Sequence, residues 1–204
     1  MNSTGMAKDR ALLLLVGLLA WVGMFLAGAA PVVILDPGHG GDDSGAVVGR
    51  VYEKHLNLDL AYRVARHLQS AGWPVRLTRD SDRFLTLGQR TQLAGRFSSA
   101  VVVSLHFNWT GNTGIRGIET YHAGGARSVA LDNSIHRAMI LSCGASDRGV
   151  RQRHFFVVRE TRHPAVLIEG GYLSNPAERR RCCSGTYRDQ LARGIAASIM
   201  RTAH

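Results

Sequence analysis

Two histidines and two glutamates stand at points in the sequence where a hydrolytic metal site could be assembled. His39 and His106 each come at the end of a short apolar run. Glu53 follows soon after His39, and Glu169 ends a third apolar run. Two histidines, one carboxylate and a water form a catalytic zinc arrangement. A second carboxylate is needed to carry the proton of the water to the leaving group. Glu169 suits that role, since a charge at the end of an apolar strand is costly without a function or a partner.

Each of these residues also has an ordinary structural interpretation. His39 lies in a glycine-rich loop, where a histidine is often simply exposed, and His106 could be a hydrogen-bonded histidine at a strand end. Glu53 could be a helix-start residue favoured by the helix dipole. Glu169 could pair with one of the many arginines. Taken singly, the four residues leave both interpretations open.

The elements that would position these residues alternate between strands and helices. Apolar spacing predicts strands over residues 32–35, 74–78, 100–106, 117–122, 155–159 and 165–169, and helices over 53–71, 87–97, 126–141 and 187–203. This alternation is typical of α/β domains, in which ligand sites gather at the carboxyl ends of the strands. We therefore predict one three-layer αβα domain over residues 31–204, with a mostly parallel, roughly six-stranded sheet.

Five sequence blocks occur in order around the candidate residues. They are DPGHGG at 36–41, DSGA at 43–46, EK at 53–54, SLHFN at 104–108 and PAVLIEGGYLSNP at 164–176. The series resembles the catalytic domain of the zinc-dependent N-acetylmuramoyl-L-alanine amidases, the family type called amidase 3. Secondary matches are TRD at 78–80, LGQR at 87–90 and DRGV at 147–150. The resemblance covers essentially the whole predicted domain.

The resemblance implies a ligand set and a reaction. It implies one zinc ion held by His39, Glu53 and His106, with Glu169 as the catalytic acid and base. It also implies hydrolysis of the amide bond between the lactyl group of N-acetylmuramic acid and L-alanine in peptidoglycan. The protein would then be a cell-wall hydrolase, active in wall remodelling, daughter-cell separation or autolysis.

Three further polar residues near predicted strand ends are candidates for positioning the substrate. They are Asn108, Glu119 and Asn175. Leu105 and Phe107 are larger than the residues common in the family at these positions, which bears on the shape of the cleft more than on the chemistry.

The first 30 residues have the features of an export signal. Lys8 and Arg10 precede an uncharged, mostly apolar run over residues 11–30 that ends in AGAA. The run also reaches the ~20 residues that can span a bilayer. A cleaved signal peptide and a retained membrane anchor therefore both stay open, and both place the domain outside the cytoplasm, in the periplasm or at the cell wall.

The net charge of +10 favours an anionic partner. Export argues against nucleic acid, which leaves an anionic membrane surface or an anionic cell-wall polymer. The resemblance implies peptidoglycan as the partner, and we expect a monomer with membrane contact only through an uncleaved N-terminus. The chain has three cysteines, Cys143, Cys182 and Cys183. One bridge from Cys143 to either of the adjacent pair, and three free thiols, are equally compatible with this number.

Two other functions are compatible with the same residues. One is a non-catalytic peptidoglycan-binding module that has kept the fold. The other is a spore-cortex-type relative of the amidases. The presence of all four candidate residues argues against the binding module, because binding alone would not require them.

Overall fold

A computed structural model describes residues 30–203 of the chain, and within them strands and helices alternate. The strands are β1 (Val32–Pro37), β2 (Val47–Val48), β3 (Val51–Tyr52), β4 (Val75–Leu77), β5 (Ala100–Asn108), β6 (Ile118–His122), β7 (Asp147–Gln152) and β8 (Ala165–Tyr172). The helices are α1 (Glu53–Ser70), α2 (Leu87–Gly95), α3 (Ala126–Cys143), α4 (Phe156–Arg159), α5 (Pro176–Cys183) and α6 (Gly185–Thr202).

The predicted signal peptide or anchor falls outside the described residues, except for its last residue. Between residues 30 and 203, none of the helices combines the length and the apolar character that crossing a bilayer requires.

Six strands form the central sheet in the order β4-β1-β5-β8-β6-β7. All neighbouring pairs are parallel except β8 and β6, which run antiparallel. The remaining strands, β2 and β3, form a separate hairpin. The predicted mostly parallel, six-stranded α/β domain is therefore confirmed.

Helices cover both faces of the sheet and make two apolar cores. Helices α1, α3 and α6 pack together on one face, around buried residues such as Leu60, Ile135 and Ile195. Helices α2 and α4 cover the other face, where Ile34 and Leu167 contribute to a smaller core. Side chains alternate between the two faces along a strand. His106 and Glu169 therefore share the face of the smaller core, beyond its last apolar layer.

Helix α1 begins at a candidate site residue, Glu53. The β2–β3 hairpin leads directly into this helix, and the Glu53 amide donates to the Ala46 carbonyl at 2.9 Å. Leu60, Val64 and Leu68 follow at helical spacing and are fully buried. Burial of this stripe holds the helix against the sheet, and the hairpin fixes where its first residue lies.

Two elements differ from the sequence prediction. Residues 155–159 were expected to form a strand, but Phe156–Arg159 is a short helix whose Val157 and Val158 pack into the smaller core. The sixth strand of the sheet is β7 instead, which pairs with β6 at the edge. Helix α5 was not predicted. All three cysteines are free thiols, so the predicted alternative of one disulfide bridge is wrong.

Candidate metal and catalytic site

His39, Glu53 and His106 converge at the carboxyl ends of β1 and β5. Their ligand atoms all lie within 4.8 Å of one another. Oε1 of Glu53 is 3.2 Å from Nε2 of His39 and 3.0 Å from Nδ1 of His106. Metal–ligand bonds of about 2.0–2.1 Å in a tetrahedron would place such atoms roughly 3.3 Å apart. Both the donor types and their spacing therefore fit a zinc ion with three protein ligands.

Asp43 fixes the orientation of the His39 ring. Its Oδ2 atom is 2.8 Å from Nδ1 of His39, which leaves Nε2 to face the other two ligands. Burial lowers the pKa of His39, but the nearby carboxylates of Glu53 and Asp43 outweigh it and raise this pKa above its ordinary value. A histidine ligand held by a carboxylate in this way is a common feature of metal sites.

Glu53 is buried among hydrogen-bond donors that stabilise its charged form. Only 5% of the residue is exposed. Oε2 accepts from the backbone of Ala46 at 2.9 Å, and Oε1 accepts from Nδ2 of Asn57 at 3.1 Å. Burial alone would raise the pKa of Glu53, but hydrogen bonds with His106 and His39 lower it well below its usual range. The residue is therefore an ionised carboxylate, as a metal ligand must be.

The loop around His39 is unusually close to the other ligands. A Cβ atom on Gly38 would lie 2.0 Å from Cε1 of His106, so only glycine fits at this position. His39 itself has a φ of 60°, in the left-handed region that non-glycine residues rarely adopt. Strained backbone of this kind persists only where the surroundings enforce it.

Two buried arginines enforce that conformation. Arg79 donates to the carbonyl oxygens of Pro37 at 3.0 Å and Gly38 at 2.9 Å. Arg90 donates to Pro37 and to His39, both at 2.8 Å. The two arginines thus donate to three successive carbonyl groups, those of Pro37, Gly38 and His39. The loop is therefore clamped through its backbone by both arginines.

Asp36 balances one of these arginines inside the fold. It is 1% exposed and accepts hydrogen bonds from Thr78 at 2.6 Å, Arg90 at 2.9 Å and Ser104 at 2.8 Å. A buried charge needs this degree of pairing to be tolerated. The TRD and LGQR blocks of the sequence thus supply structural residues that hold the ligand loop.

Glu169 lies beside the ligand group, on the strand next to His106. The two residues are direct neighbours in the β5–β8 register. Oε2 of Glu169 is shielded from solvent and has no hydrogen-bond partner among the described residues. Burial, and then the negative charges of Glu53 and Glu119, raise the pKa of Glu169 well above its ordinary value. The carboxyl group therefore holds a proton under conditions in which an exposed glutamate has lost it.

The three predicted substrate-positioning residues have different surroundings. Glu119 is the β6 neighbour of Glu169 and is 2% exposed. Nδ2 of Asn108 donates to Glu119 at 2.9 Å, so these two residues belong to one network next to Glu169. Asn175 lies elsewhere and caps helix α5, with Oδ1 accepting from Glu178 at 3.0 Å and Nδ2 donating to Thr113 at 2.8 Å. Its side chain thus has a structural role.

A cleft opens next to the two histidines. Its volume is about 370 Å³, and His39 and His106 are among its lining residues. Its outer wall is largely apolar and carries four exposed large side chains: Phe84, Leu87, Phe155 and Phe156. The ligand group is therefore reached from solvent through an apolar entrance.

The fold and this group of residues suit metal-assisted hydrolysis: three candidate ligands converge beside the sheet, and a carboxyl group with a raised pKa lies alongside. Residues 33–201 match the family described as N-acetylmuramoyl-L-alanine amidase. The chain belongs to this family.

Individual relatives agree with that assignment. The chain is 32% identical to N-acetylmuramoyl-L-alanine amidase LytC of Bacillus subtilis over 166 residues, which are 80% of this chain but 34% of LytC. Among solved structures, it resembles the catalytic domain of CwlV, an amidase of Bacillus (Paenibacillus) polymyxa var. colistinus. The TM-score is 0.80 at 40% identity, covering 84% of this chain and 97% of that one. An amidase of Clostridium difficile 630 gives a TM-score of 0.82 at 34% identity, covering 85% and 97%.

The structure brings together the four residues singled out first, and it adds others that the sequence reasoning did not use. Asp43, Asn57, Arg79 and Arg90 all support the ligand group through the bonds described above. Three of these four lie within matched blocks of the sequence, which was the available signal. Asn57 lies one helical turn after Glu53 on α1, so helical spacing could have pointed to it.

Proposed function

We propose that this protein is a zinc-dependent N-acetylmuramoyl-L-alanine amidase. It would hydrolyse the amide bond between the lactyl group of N-acetylmuramic acid and the L-alanine of the stem peptide in peptidoglycan. The observation that carries the proposal is the convergence of His39, Glu53 and His106 next to Glu169, in a chain that belongs to the amidase family. Residues 31–204 are proposed as the catalytic domain.

His39, Glu53 and His106 would hold the zinc ion. When bound, zinc polarises a carbonyl group and makes a water molecule acidic near neutral pH. The residues of the chain prepare the site for it: Asp43 orients one histidine, and buried donors keep Glu53 ionised. A site built in this way does not need to rearrange before it binds the metal.

Glu169 would move the proton during the reaction. Its raised pKa makes it a stronger base in the ionised form and a ready donor in the protonated form. It would take a proton from the attacking water and give it to the nitrogen of the leaving L-alanine. Its Oε2 atom is shielded from solvent, whereas the residue as a whole is partly exposed.

The cleft next to the histidines would admit the substrate. Peptidoglycan is an extended polymer, and an open cleft at the edge of the sheet accommodates a bond in the middle of such a chain. We propose that Asn108 and Glu119 help to shape the side of the site next to Glu169. The substrate-binding role predicted for Asn175 stays a prediction, with a structural role already assigned to its side chain.

We propose that the protein acts outside the cytoplasm, in the periplasm or at the cell wall, as a monomer. The support is the basic and apolar N-terminal sequence, which is typical of export. Whether that segment is cleaved or retained as an anchor would be read from the N-terminus of the protein recovered from cells.

The test is product analysis on purified peptidoglycan, with and without a chelator, using the wild-type protein and Glu169→Ala. We expect release of intact stem peptides that begin with L-alanine, lost on chelation and in the variant. Binding without release, unaffected by the chelator, would contradict the proposal and favour the non-catalytic wall-binding module. Cleavage at another bond would contradict the proposed specificity but would still show that the protein is a hydrolase.

A further inference from the structure

Two arginines of the edge strand β7 converge on the buried Glu119. Nη1 of Arg151 donates to Oε2 of Glu119 at 2.9 Å. Nε of Arg148 lies 3.4 Å from the same oxygen, at the limit of a hydrogen bond. The other oxygen of Glu119 accepts from Nδ2 of Asn108 and from the hydroxyl group of Tyr172. The carboxylate of Glu119 is therefore fully satisfied.

This cluster has more positive than negative charge. Two guanidinium groups face one carboxylate, and Arg151 alone already makes a good bond to it. The guanidinium of Arg148 is stacked over the Tyr172 ring, 5.3 Å from its centroid. Among the described residues, its Nη amines form no ion pair with a carboxylate. Arg148 is thus held in place by Glu119 and Tyr172, and its ion pair with Glu119 uses only Nε.

Both arginines are accessible from solvent. The exposed fractions of the side chains are 28% for Arg148 and 42% for Arg151. Arginines that only neutralised a buried carboxylate would gain nothing from this exposure. A planar guanidinium held in one orientation suits the recognition of a carboxylate.

The position of the cluster follows from the order of the strands. Glu169 lies on β8, its register neighbour Glu119 lies on β6, and the arginines lie on β7 beyond it. The proposed metal ligands lie on the other side of Glu169: His39 is in the loop after β1, and His106 is on β5. The ligand group and the arginine cluster therefore flank Glu169 on opposite sides.

If Glu169 protonates the leaving nitrogen, the order of the strands determines which half of the substrate lies on each side of the site. The leaving half of the substrate, which is the stem peptide, must then lie on the Glu169 side of the scissile bond. Neighbouring strands are about 4.8 Å apart, so β7 is roughly 10 Å from β8. A peptide advances about 3.5 Å per residue. An arginine side chain that extends from β7 toward β8 can therefore contact the stem-peptide residue that follows L-alanine.

We propose that Arg148, supported by Arg151, forms a subsite for a free carboxylate on the stem peptide, on the residue next to the L-alanine. This inference rests on the proposed function, because it uses the direction of proton transfer by Glu169. The subsite would favour stems that carry a free carboxylate there over stems in which that group is a carboxamide.

The experiment compares two soluble glycan-strand substrates that differ only in this carboxylate or carboxamide. Wild-type protein should cleave the carboxylate form with a kcat/KM about 10- to 100-fold higher, the range expected of a charge-assisted hydrogen bond. Arg148→Gln should remove most of that preference, mainly through KM for the carboxylate form. Arg148→Lys should keep part of it, because the charge remains without the planar fork.

Arg201→Gln is the matched control for the loss of one positive charge. Arg201 is exposed near the end of α6. Its neighbour Thr202 lies beside the amino ends of β5 and β8, whereas the site lies at their carboxyl ends. This variant should keep the full preference. Melting temperatures of all variants would show whether each is folded.

The outcomes separate this inference from the proposed function. Equal cleavage of both substrates by the wild type, or an unchanged preference in folded Arg148→Gln, would overturn the subsite and leave the amidase activity in place. Cleavage of neither substrate would contradict the proposed function itself, and the subsite with it.

Discussion

Glu53 and Glu169 are carboxyl groups in the same site, yet their surroundings are opposite. Glu53 has hydrogen-bond donors on both oxygens, and its pKa is lowered although burial acts against this. Oε2 of Glu169 has no such donor among the described residues, and burial raises its pKa. The difference shows how one fold gives a single residue type two roles: a fixed anion that could bind a cation, and a carboxyl group whose raised pKa suits it to take up and release a proton.

The backbone around the two residues differs in the same way. The region around Glu53 and His39 is clamped by Arg79 and Arg90, and it tolerates the strained conformation of His39. Glu169 lies in the largely buried strand β8, just before a shift in the β5–β8 register. The His39 side of the site is thus a loop held by polar bonds, whereas Glu169 is held by the apolar sheet. If this division is correct, substitutions on the two sides should have different effects on zinc binding and on turnover.

Removing a metal ligand should abolish activity. For His106→Ala we expect turnover to fall to the level of the chelated wild type, because the two remaining ligands cannot hold zinc in the geometry of catalysis. Bound zinc, measured by atomic emission on the dialysed protein, should fall with it. An active variant with a full equivalent of zinc would show that His106 is not a ligand.

Removing the proton carrier should leave the metal in place. For Glu169→Gln we expect kcat to fall about 10²- to 10⁴-fold, the usual range for the loss of a general acid or base. Single-turnover kinetics on soluble glycan strands would measure it, with circular dichroism as the control for folding. A loss of less than tenfold would mean that another group carries the proton.

Disturbing the support of a ligand should have a smaller effect. Asp43→Asn removes the charge that orients His39, so we expect zinc affinity to fall about 10- to 100-fold while kcat at saturating zinc changes little. Competition with a fluorescent chelator would measure the affinity. Asp42→Asn, at the exposed neighbouring position, is the matched control and should not change it.

The stability of the metal-free protein should depend on pH through Glu169. Its folded pKa is above the value of the unfolded chain, near 4.5, so the folded state retains a proton that the unfolded state releases. This contribution is fully present below about pH 4.5 and is lost as the pH rises toward the folded pKa, by at most about 1.4 kcal/mol per pH unit. Urea denaturation of wild type and Glu169→Gln across pH 5–8 would measure it. A stability difference that does not change with pH would contradict the raised pKa.

The sequence predicted the parts of the fold that depend on strong apolar patterns. The α1 stripe of Leu60, Val64 and Leu68 is a clear helical signal, and β5 is a clear buried strand. The strand predicted over residues 155–159 was wrong because a short run with two valines suits a strand as well as a buried helical turn. Edge strand β7 escaped prediction because DRGVRQ is polar, as exposed edges often are. Helix α5 is also polar, although Asn175 followed by a proline is a helix-start signal.

The sequence also indicated the site residues but not what holds them. His39, Glu53, His106 and Glu169 stood out because their types suit one reaction. The role of Gly38 depends on a contact with His106, which is distant in the sequence. The sequence blocks mark Arg79 and Arg90, but the clamps become visible only when the segment after β4 and helix α2 are brought against the loop after β1. Each arginine then reaches backbone carbonyl groups that the sequence does not mark.

The measurement that tests the division of roles most directly is zinc content and turnover in Glu53→Gln and Glu169→Gln, purified side by side. We predict that Glu169→Gln retains one equivalent of zinc and loses turnover, whereas Glu53→Gln loses both. Equal retention of zinc by both variants, or loss of zinc from Glu169→Gln alone, would contradict the assignment of Glu53 as the ligand and Glu169 as the proton carrier.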